Sequence, residues 1–193
     1  MVTWVVDPID GTVNYLYGIP VFAVCVAAVV GDPSVPGGWA PVAGCVHNPA
    51  TGRTWTAQAG GGAWLDGHRL TMPEPPALEA ALVATGFGYV ASRRAAQADV
   101  VRSLLPRVRD LRRLGSASID LCMLASGQLD AYYERGLHAW DMAAAALVVL
   151  EAGGRVVGID GIPPQEHMVV AAAEPLCRTL ATALEELGAA NDG

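Results

Sequence analysis

The chain has 193 residues, of which 52% are hydrophobic and 16% charged, and its formal net charge is −7. This length fits one domain with a sizeable core, and the negative charge argues against nucleic acid as a bulk partner. No secretory leader stands out, and the longest early apolar run, residues 21–30, is too short to cross a bilayer. We therefore expect a cytoplasmic protein without a membrane partner.

The first predicted element is a strand that ends in an aspartate-rich turn. Residues 2–6 are apolar and partly β-branched, and the proline after Asp7 is expected to end the strand, since proline cannot extend a central ladder. Asp7 and Asp10 then lie at the carboxyl end of a strand, where open α/β sheets bind ligands. Gly11 and Thr12 offer N–H groups that attract anions where a helical turn begins.

Two interpretations of this turn remain open. Mg²⁺ prefers oxygen ligands and usually binds one or two carboxylates together with a substrate phosphate, which this loop is equipped to provide. Aspartate and glycine are also ordinary turn residues, so Asp7 and Asp10 could simply cap a turn. A second acidic segment, far along the chain, bears on the choice.

The rest of the first half predicts mainly strands. The segment at 63–72 is expected to pair with itself through a tight Asp66-Gly67 turn. Residues 93–109 follow as an amphipathic helix that buries Val101, Leu104, Leu105 and Val108. The predicted strands are residues 20–30, 41–47, 53–58, 63–72 and 81–85.

The second half alternates helices and strands, which is typical of α/β sandwiches. The predicted helices are residues 116–127, 141–152 and 175–188, and the predicted strands are 129–134, 155–159 and 168–173. No repeat or linker divides the chain. We expect one domain over residues 1–193, with a first sheet region over roughly 1–90 and a second αβ region over 91–193.

Asp141 is the second acidic position of interest. It stands where the N-cap of the helix at 141–152 is expected, and Gly153 and Gly154 supply the stop. Taken alone, the residue is better interpreted as a cap than as a metal ligand. His138 lies nearby, and we expect it to have a structural role.

The four cysteines are Cys25, Cys45, Cys122 and Cys177. They are widely spaced and mostly flanked by apolar residues, so buried free thiols are favoured over disulfides or a zinc site. The four histidines form no metal-ligand spacing.

Taken together, the two acidic segments resemble the signature pair of the inositol monophosphatase family. Residues 4–14 read WVVDPIDGTVN and residues 132–141 read YYERGLHAWD. Between them, residues 112–117 (RRLGSA), 119–122 (IDLC), 125–127 (ASG) and 85–89 (TGFGY) are also similar to bacterial inositol-1-monophosphatases. The likeness covers nearly the whole chain.

The resemblance implies a layered αβαβα sandwich and a set of site residues. The metal ligands it implies are Asp7, the Ile9 carbonyl, Asp10 and Asp141, and the catalytic residues are Asp7, Asp10, Thr12 and Asp141. Phosphate is expected at Gly11 and Thr12, and the substrate ring at Asp10, Ser116, Ala117 and Glu134.

The activity it implies is hydrolysis of myo-inositol monophosphate to inositol and phosphate. A water activated by Mg²⁺, or by Mn²⁺, would attack phosphorus in line. Three aspartates would repel a phosphate, so charge balance also points to divalent cations. The family commonly forms homodimers, and the high hydrophobic content agrees with apolar surface meeting another subunit.

Other functions stay open at this stage. A related phosphatase could act on histidinol phosphate, fructose bisphosphate or a 3′-phosphoadenosine nucleotide. In the family, a segment that precedes the first aspartate motif carries a metal-binding glutamate, and no acidic residue stands ahead of Asp7 here. The resemblance therefore also implies an N-terminally truncated form, weak in activity, or a noncatalytic dimerising subunit.

Overall fold

Two sheets form the framework of the computed structural model, which describes residues 2–191. The first sheet is antiparallel throughout, in the order β1-β2-β3-β4-β5-β6. Its strands are Val2–Asp10, Ala23–Gly31, Trp39–His47, Thr54–Gln58, Gly62–Leu65 and His68–Arg69. The expected Asp66-Gly67 turn joins the last two strands, with both residues at positive φ.

The second sheet is mixed, in the order β10-β11-β9-β7-β8. Strand β7 runs parallel to β8 and β9, whereas β11 is antiparallel to β9 and β10. The strands β7 to β11 are Leu82–Thr85, Asp110–Arg112, Ala131–Glu134, Arg155–Val157 and Val169–Ala172. The change from the first sheet to the second thus falls between residues 69 and 82.

Five α-helices complete the described part of the chain. They are α1 (Thr12–Tyr17), α2 (Ala91–Leu104), α3 (Ala117–Ala125), α4 (Ala139–Glu151) and α5 (Leu176–Glu186). Helices α3 and α4 lie between the sheets and share one hydrophobic core with the first sheet. Helices α2 and α5 share a second core with the other face of the second sheet. The order of layers is therefore β, α, β, α, and the predicted layered α/β fold is confirmed.

The outer face of the first sheet is apolar and exposed in the described structure. Val2, Trp4 and Val6 on β1 point to this face, and Val24 and Val30 on β2 lie on it beside them. Trp4 is 69% exposed. The inner face instead packs against α4 and contributes Val5, Val29 and Val46 to the core.

Three expectations from the sequence were wrong in detail. Strand β1 continues past the proline to Asp10, which an edge strand tolerates because its outer N–H groups need no partner. The helix predicted at 93–109 is α2, which ends at Leu104, where Pro106 follows in a 3₁₀ turn. Leu105 is consequently 47% exposed rather than buried. Val101, also expected inside, is only partly buried, and the inward face of α2 carries Val100 and Leu104.

The third difference concerns the start of α4. The helix begins at Ala139, so Asp141 lies in its first turn instead of at the N-cap, which His138 occupies. The Asp141 carboxylate reaches back to the backbone N–H of His138, as in a capping box.

All four cysteines are free thiols, as predicted, and Cys25, Cys122 and Cys177 are buried. Within residues 2–191, no helix has both the length and the apolar character required to cross a membrane.

Candidate active site

The end of β1 and the turn into α1 are held by their own backbone and side chains. The Ile9 N–H donates to the Asp7 carboxylate over 2.9 Å, and the Thr12 hydroxyl donates to the Ile9 carbonyl over 2.9 Å. The register of β1 against β2 shifts between Asp7 and Asp10. This irregularity turns the end of the strand into a loop that carries both carboxylates.

Gly11 is the residue that lets the chain turn into α1. Its φ is 83°, and a Cβ there would lie 2.8 Å from the Val21 carbonyl oxygen and 3.1 Å from the Ser116 Cβ. The next helix is anchored by Asn14, which is buried and donates from its amide to the carbonyls of Val21 and Leu114. Asn14 thereby ties the first loop to the loop before α3.

Asp10 is the most enclosed carboxylate of the site, with 8% of its surface exposed. Its Oδ2 accepts hydrogen bonds from the Ser116 hydroxyl over 2.6 Å, from the Ser118 N–H over 2.9 Å and from the Ser118 hydroxyl. These donors come from the N-terminal turn of α3. They fix the orientation of a buried group that would otherwise lose its hydration.

The acidic residues of the two distant segments meet at one point. One carboxylate oxygen from each of Asp7, Asp10 and Asp141 lies within 4.8 Å of the others. Asp141 projects from the first turn of α4. Its Oδ2 also accepts a hydrogen bond from the His138 N–H over 2.7 Å. Sequence motifs about 130 residues apart therefore form one cluster.

The pKa values reflect this crowding. Burial, followed by repulsion from Asp10 and Asp7, raises the pKa of Asp141 to about 6, against stabilisation by the His138 N–H. Burial is also the main cause that raises the pKa of Asp7, and the Ile9 N–H partly offsets it. Three close carboxylates that destabilise one another's charge are a donor set that suits divalent cations.

The cluster opens into a cleft of about 480 Å³. Glu134, at the end of β9, lines it and accepts a hydrogen bond from the buried Tyr132 hydroxyl over 2.6 Å. A side chain at Gly86 would overlap the Glu134 carboxylate, so this glycine makes room for it. Burial raises the pKa of Glu134 to about 7, despite the Tyr132 hydrogen bond.

The structure brings every predicted site residue to this cleft. Its lining includes Asp7, Ile9, Asp10, Gly11, Thr12, Ser116, Ala117, Glu134 and Asp141. Ser116, predicted to contact the substrate ring through a backbone group, donates its hydroxyl to Asp10. His138 caps α4 and stacks on Trp140, with ring centroids 4.5 Å apart.

Sequence reasoning missed several residues of the cleft. Three arginines, Arg93, Arg113 and Arg135, line it together with Tyr89. The guanidinium of Arg113 lies 6.0 Å from the ring centre of Phe87. Tyr89, Arg113 and Arg135 had a usable signal, because they lie in the quoted segments 85–89, 112–117 and 132–141. Arg93 had none, because it comes from a helix that no motif singled out.

Comparison with family models gives one match. The model described as the inositol monophosphatase family matches residues 1–190. The match includes both acidic segments and every residue named above as part of the site.

Individual relatives agree with this match. The chain is 47% identical over 190 residues to the inositol-1-monophosphatase of Mycobacterium leprae, which covers 95% of this chain and 63% of that protein. It is 46% identical over 178 residues to the inositol-1-monophosphatase SuhB of Mycobacterium tuberculosis, with 90% and 59% covered. The chain thus spans about three fifths of the length of these relatives.

A solved structure shows the same fold. The structure of Mycobacterium tuberculosis SuhB superposes with a TM-score of 0.85 at 45% sequence identity, covering 98% of this chain and 74% of that one.

Proposed function

Because the chain belongs to the inositol monophosphatase family, we propose that it hydrolyses myo-inositol monophosphate to inositol and phosphate in a metal-dependent reaction. The observation that carries the proposal is the meeting of Asp7, Asp10 and Asp141 within 4.8 Å at one end of a cleft of substrate size. Two of these residues come from the first loop and the third from a separate helix. A turn-capping role for Asp7 and Asp10 does not explain why a third carboxylate joins them.

The donor set fits Mg²⁺, with Mn²⁺ as the alternative. Asp7, Asp10, Asp141 and the Ile9 carbonyl would hold the ions, since all four line the same cleft. When bound, divalent cations neutralise charge and make a water molecule a better nucleophile. Burial, with a smaller contribution from repulsion between the carboxylates, raises the pKa values of Asp7 and Asp141, and cations held by these groups would stabilise their charged forms.

The remaining residues position the substrate. Gly11 and Thr12 would bind the phosphate through backbone N–H groups, and the Thr12 hydroxyl is held on the Ile9 carbonyl. Glu134, fixed by Tyr132, would orient a ring hydroxyl. Ser116 has its hydroxyl engaged, so it and Ala117 would meet the ring through backbone groups.

A second substrate class is favoured by the arginines. Arg93, Arg113 and Arg135 line the cleft that holds the acidic cluster, and guanidinium groups pair well with phosphates and carboxylates. We therefore include fructose bisphosphate, which carries a second phosphate, as an alternative substrate. Histidinol phosphate and a 3′-phosphoadenosine nucleotide would be assayed beside it.

Two further parts of the proposal concern the whole protein. The exposed apolar face of the first sheet supports a homodimer, and the four free thiols support a reducing compartment such as the cytoplasm. A noncatalytic, dimerising role is the competing hypothesis for this chain.

The test is phosphate release from myo-inositol 1-phosphate, with Mg²⁺ or with chelator. Asp7→Asn should lower turnover by about a hundredfold or more, because it removes one charged group from the centre of the site. The matched control is Asp99→Asn, which changes an exposed aspartate on α2 that pairs with Arg102. Metal-dependent turnover that Asp7→Asn leaves unchanged would contradict the assignment. Absence of turnover with all four substrates, from a folded chain that binds Mg²⁺, would favour the noncatalytic role.

A further inference from the structure

The hydrogen bonds on Asp10 are unevenly divided between its two oxygens. Three donors converge on Oδ2, from Ser116 and from both the N–H and the hydroxyl of Ser118. In the described part of the chain, no hydrogen bond to Oδ1 is found. Oδ2 of this carboxylate is therefore committed to α3, while the Asp10 carboxylate also belongs to the cluster with Asp7 and Asp141.

Ser116 and Ser118 have different structural roles. Ser116 is the N-cap of α3, and its hydroxyl also accepts the Ile119 N–H over 3.4 Å. This capping hydrogen bond would hold the Ser116 side chain in place whether or not Asp10 were present. Ser118 does not cap the helix: it lies two residues after Ser116, is fully buried, and directs both its N–H and its hydroxyl to Asp10.

We propose that Ser118 is a positioning residue that orients Asp10 for metal binding by holding Oδ2, so that Oδ1 alone faces the cation. The inference rests on the proposed metal-dependent function, and it adds a residue that neither motif contains. Side chains that hydrogen-bond the ligands of a metal set the orientation of those ligands.

The geometry explains how Ser118 has this effect. A carboxylate with one oxygen fixed by three donors cannot rotate freely, so less conformational freedom is lost when a cation binds. The three donors also occupy the lone pairs of Oδ2, which leaves Oδ1 as the oxygen available as a ligand. The Ser118 hydroxyl lies 3.4 Å from that of Ser116. The two hydroxyls therefore lie side by side and donate to the same atom, Oδ2 of Asp10.

The experiment measures Mg²⁺ binding by titration calorimetry and Mn²⁺ binding by electron paramagnetic resonance, on the full chain. Ser118→Ala should raise both dissociation constants by about tenfold, the lower end of what such supporting residues contribute, because two donors remain on Oδ2. Ser118→Thr keeps the hydroxyl and should bind both ions like the wild type. In the phosphatase assay, the Ser118→Ala defect should shrink as Mg²⁺ approaches saturation.

The matched control is Ser126→Ala. Ser126 caps the other end of α3, where its hydroxyl accepts the Trp55 indole N–H and donates to the Cys122 carbonyl. This variant loses a largely enclosed hydroxyl on the same helix without touching Asp10. A merely structural role for Ser118 would make both alanine variants lower the melting temperature and leave metal affinity unchanged.

The outcomes separate the two proposals. A wild-type chain that binds neither ion overturns this inference and the metal-dependent function together. A wild-type chain that binds metal with the same affinity as Ser118→Ala overturns this inference alone, as does Ser118→Thr binding as weakly as the alanine variant. If Ser118→Ala does not fold, Ser118→Cys, of similar volume and with a weaker donor, takes its place with the same expectation.

Discussion

Asp120 is the residue whose burial is hardest to reconcile with a charge. It lies in the first turn of α3, is 1% exposed, and its Oδ1 has no hydrogen-bond partner in the described structure. Burial, followed by repulsion from Glu134 and Asp10, raises its pKa to about 8. The folded protein therefore holds this carboxyl in its neutral form at pH 7.

The pH dependence of stability follows from that shift. In the unfolded chain the Asp120 carboxyl ionises near its ordinary pKa of 3.8, whereas in the folded chain it stays protonated up to about pH 8. Between these values the folded state binds more protons than the unfolded state. The contribution of Asp120 to the free energy of unfolding therefore falls as the pH rises from about 4 to about 8.

Asp120→Asn should remove this dependence, since the amide cannot ionise. We expect the free energy of unfolding of the variant to exceed that of the wild type by an amount that grows with pH, reaching about 1–3 kcal/mol at pH 8. Urea denaturation in chelator at several pH values measures the difference. Asp99→Asn, at an exposed position, should show no such trend. A difference between Asp120→Asn and wild type that stays constant with pH would contradict the assignment.

At the scale of elements, the approach of α4 to the first sheet decides where Asp141 lies. Gly44 on β3 faces this helix, and a Cβ there would lie 2.9 Å from both the Cα and the carbonyl oxygen of Ala144. Such a distance is too short for a real contact with backbone atoms. The helix can therefore lie this close to the sheet only because residue 44 has no side chain.

Gly44→Ala should push α4 away from the sheet and shift Asp141, one turn before Ala144. We expect a loss of about 1–3 kcal/mol in the free energy of unfolding, as for overpacked cores, and a melting temperature lower by roughly 3–10 °C. Metal affinity should fall as well. Calorimetric melting and Mg²⁺ titration measure the two effects.

The control for this prediction is Gly61→Ala. A Cβ at this exposed turn approaches only Gln58, at 3.2 Å. The neighbouring Gly60 and Gly62 donate hydrogen bonds to Glu151 at the C-terminal end of α4, whereas Asp141 lies in the first turn of that helix. The variant should keep its metal affinity. If Gly44→Ala melts at the wild-type temperature, the helix can move without cost and our account of the packing is wrong.

At the scale of the whole molecule, the outer face of the first sheet is an apolar surface left uncovered in residues 2–191. Val2, Trp4 and Val6 are 50–69% exposed there. On α1, nearby in sequence, Leu16 and Tyr17 are 74% and 80% exposed. Exposed apolar patches of this extent mark surfaces that bind another protein surface.

Trp4→Glu should therefore reduce self-association of this chain. Placing a charge in the middle of the patch makes its burial unfavourable, and we expect the sedimentation-derived mass at a given concentration to fall towards that of the monomer. Leu105→Glu adds the same charge at an exposed site after α2 and should not change the mass. Equal masses for Trp4→Glu and wild type would show that this face does not mediate association.

The sequence by itself determined the local chemistry of this protein. Apolar runs predicted most strands of the two sheets, although not β8. The Asp66-Gly67 pair predicted a tight turn, in which both residues have positive φ. The motifs around Asp7 and Asp141 predicted which carboxylates belong to the candidate site. These features depend on residues adjacent in the chain and on the spacing of its apolar residues. Both can be read from a single sequence.

The tertiary structure alone decided how those residues are arranged. No pattern showed that Ser118 and Asp10, 108 positions apart, share hydrogen bonds, or that Arg93 lines the cleft. Leu105 fits the helical period of α2, yet the chain turns at Pro106 and leaves it exposed. The physical reason is the same in each case: hydrogen-bond partners, exposure and pKa values depend on which distant segments pack together, and periodicity does not determine that packing.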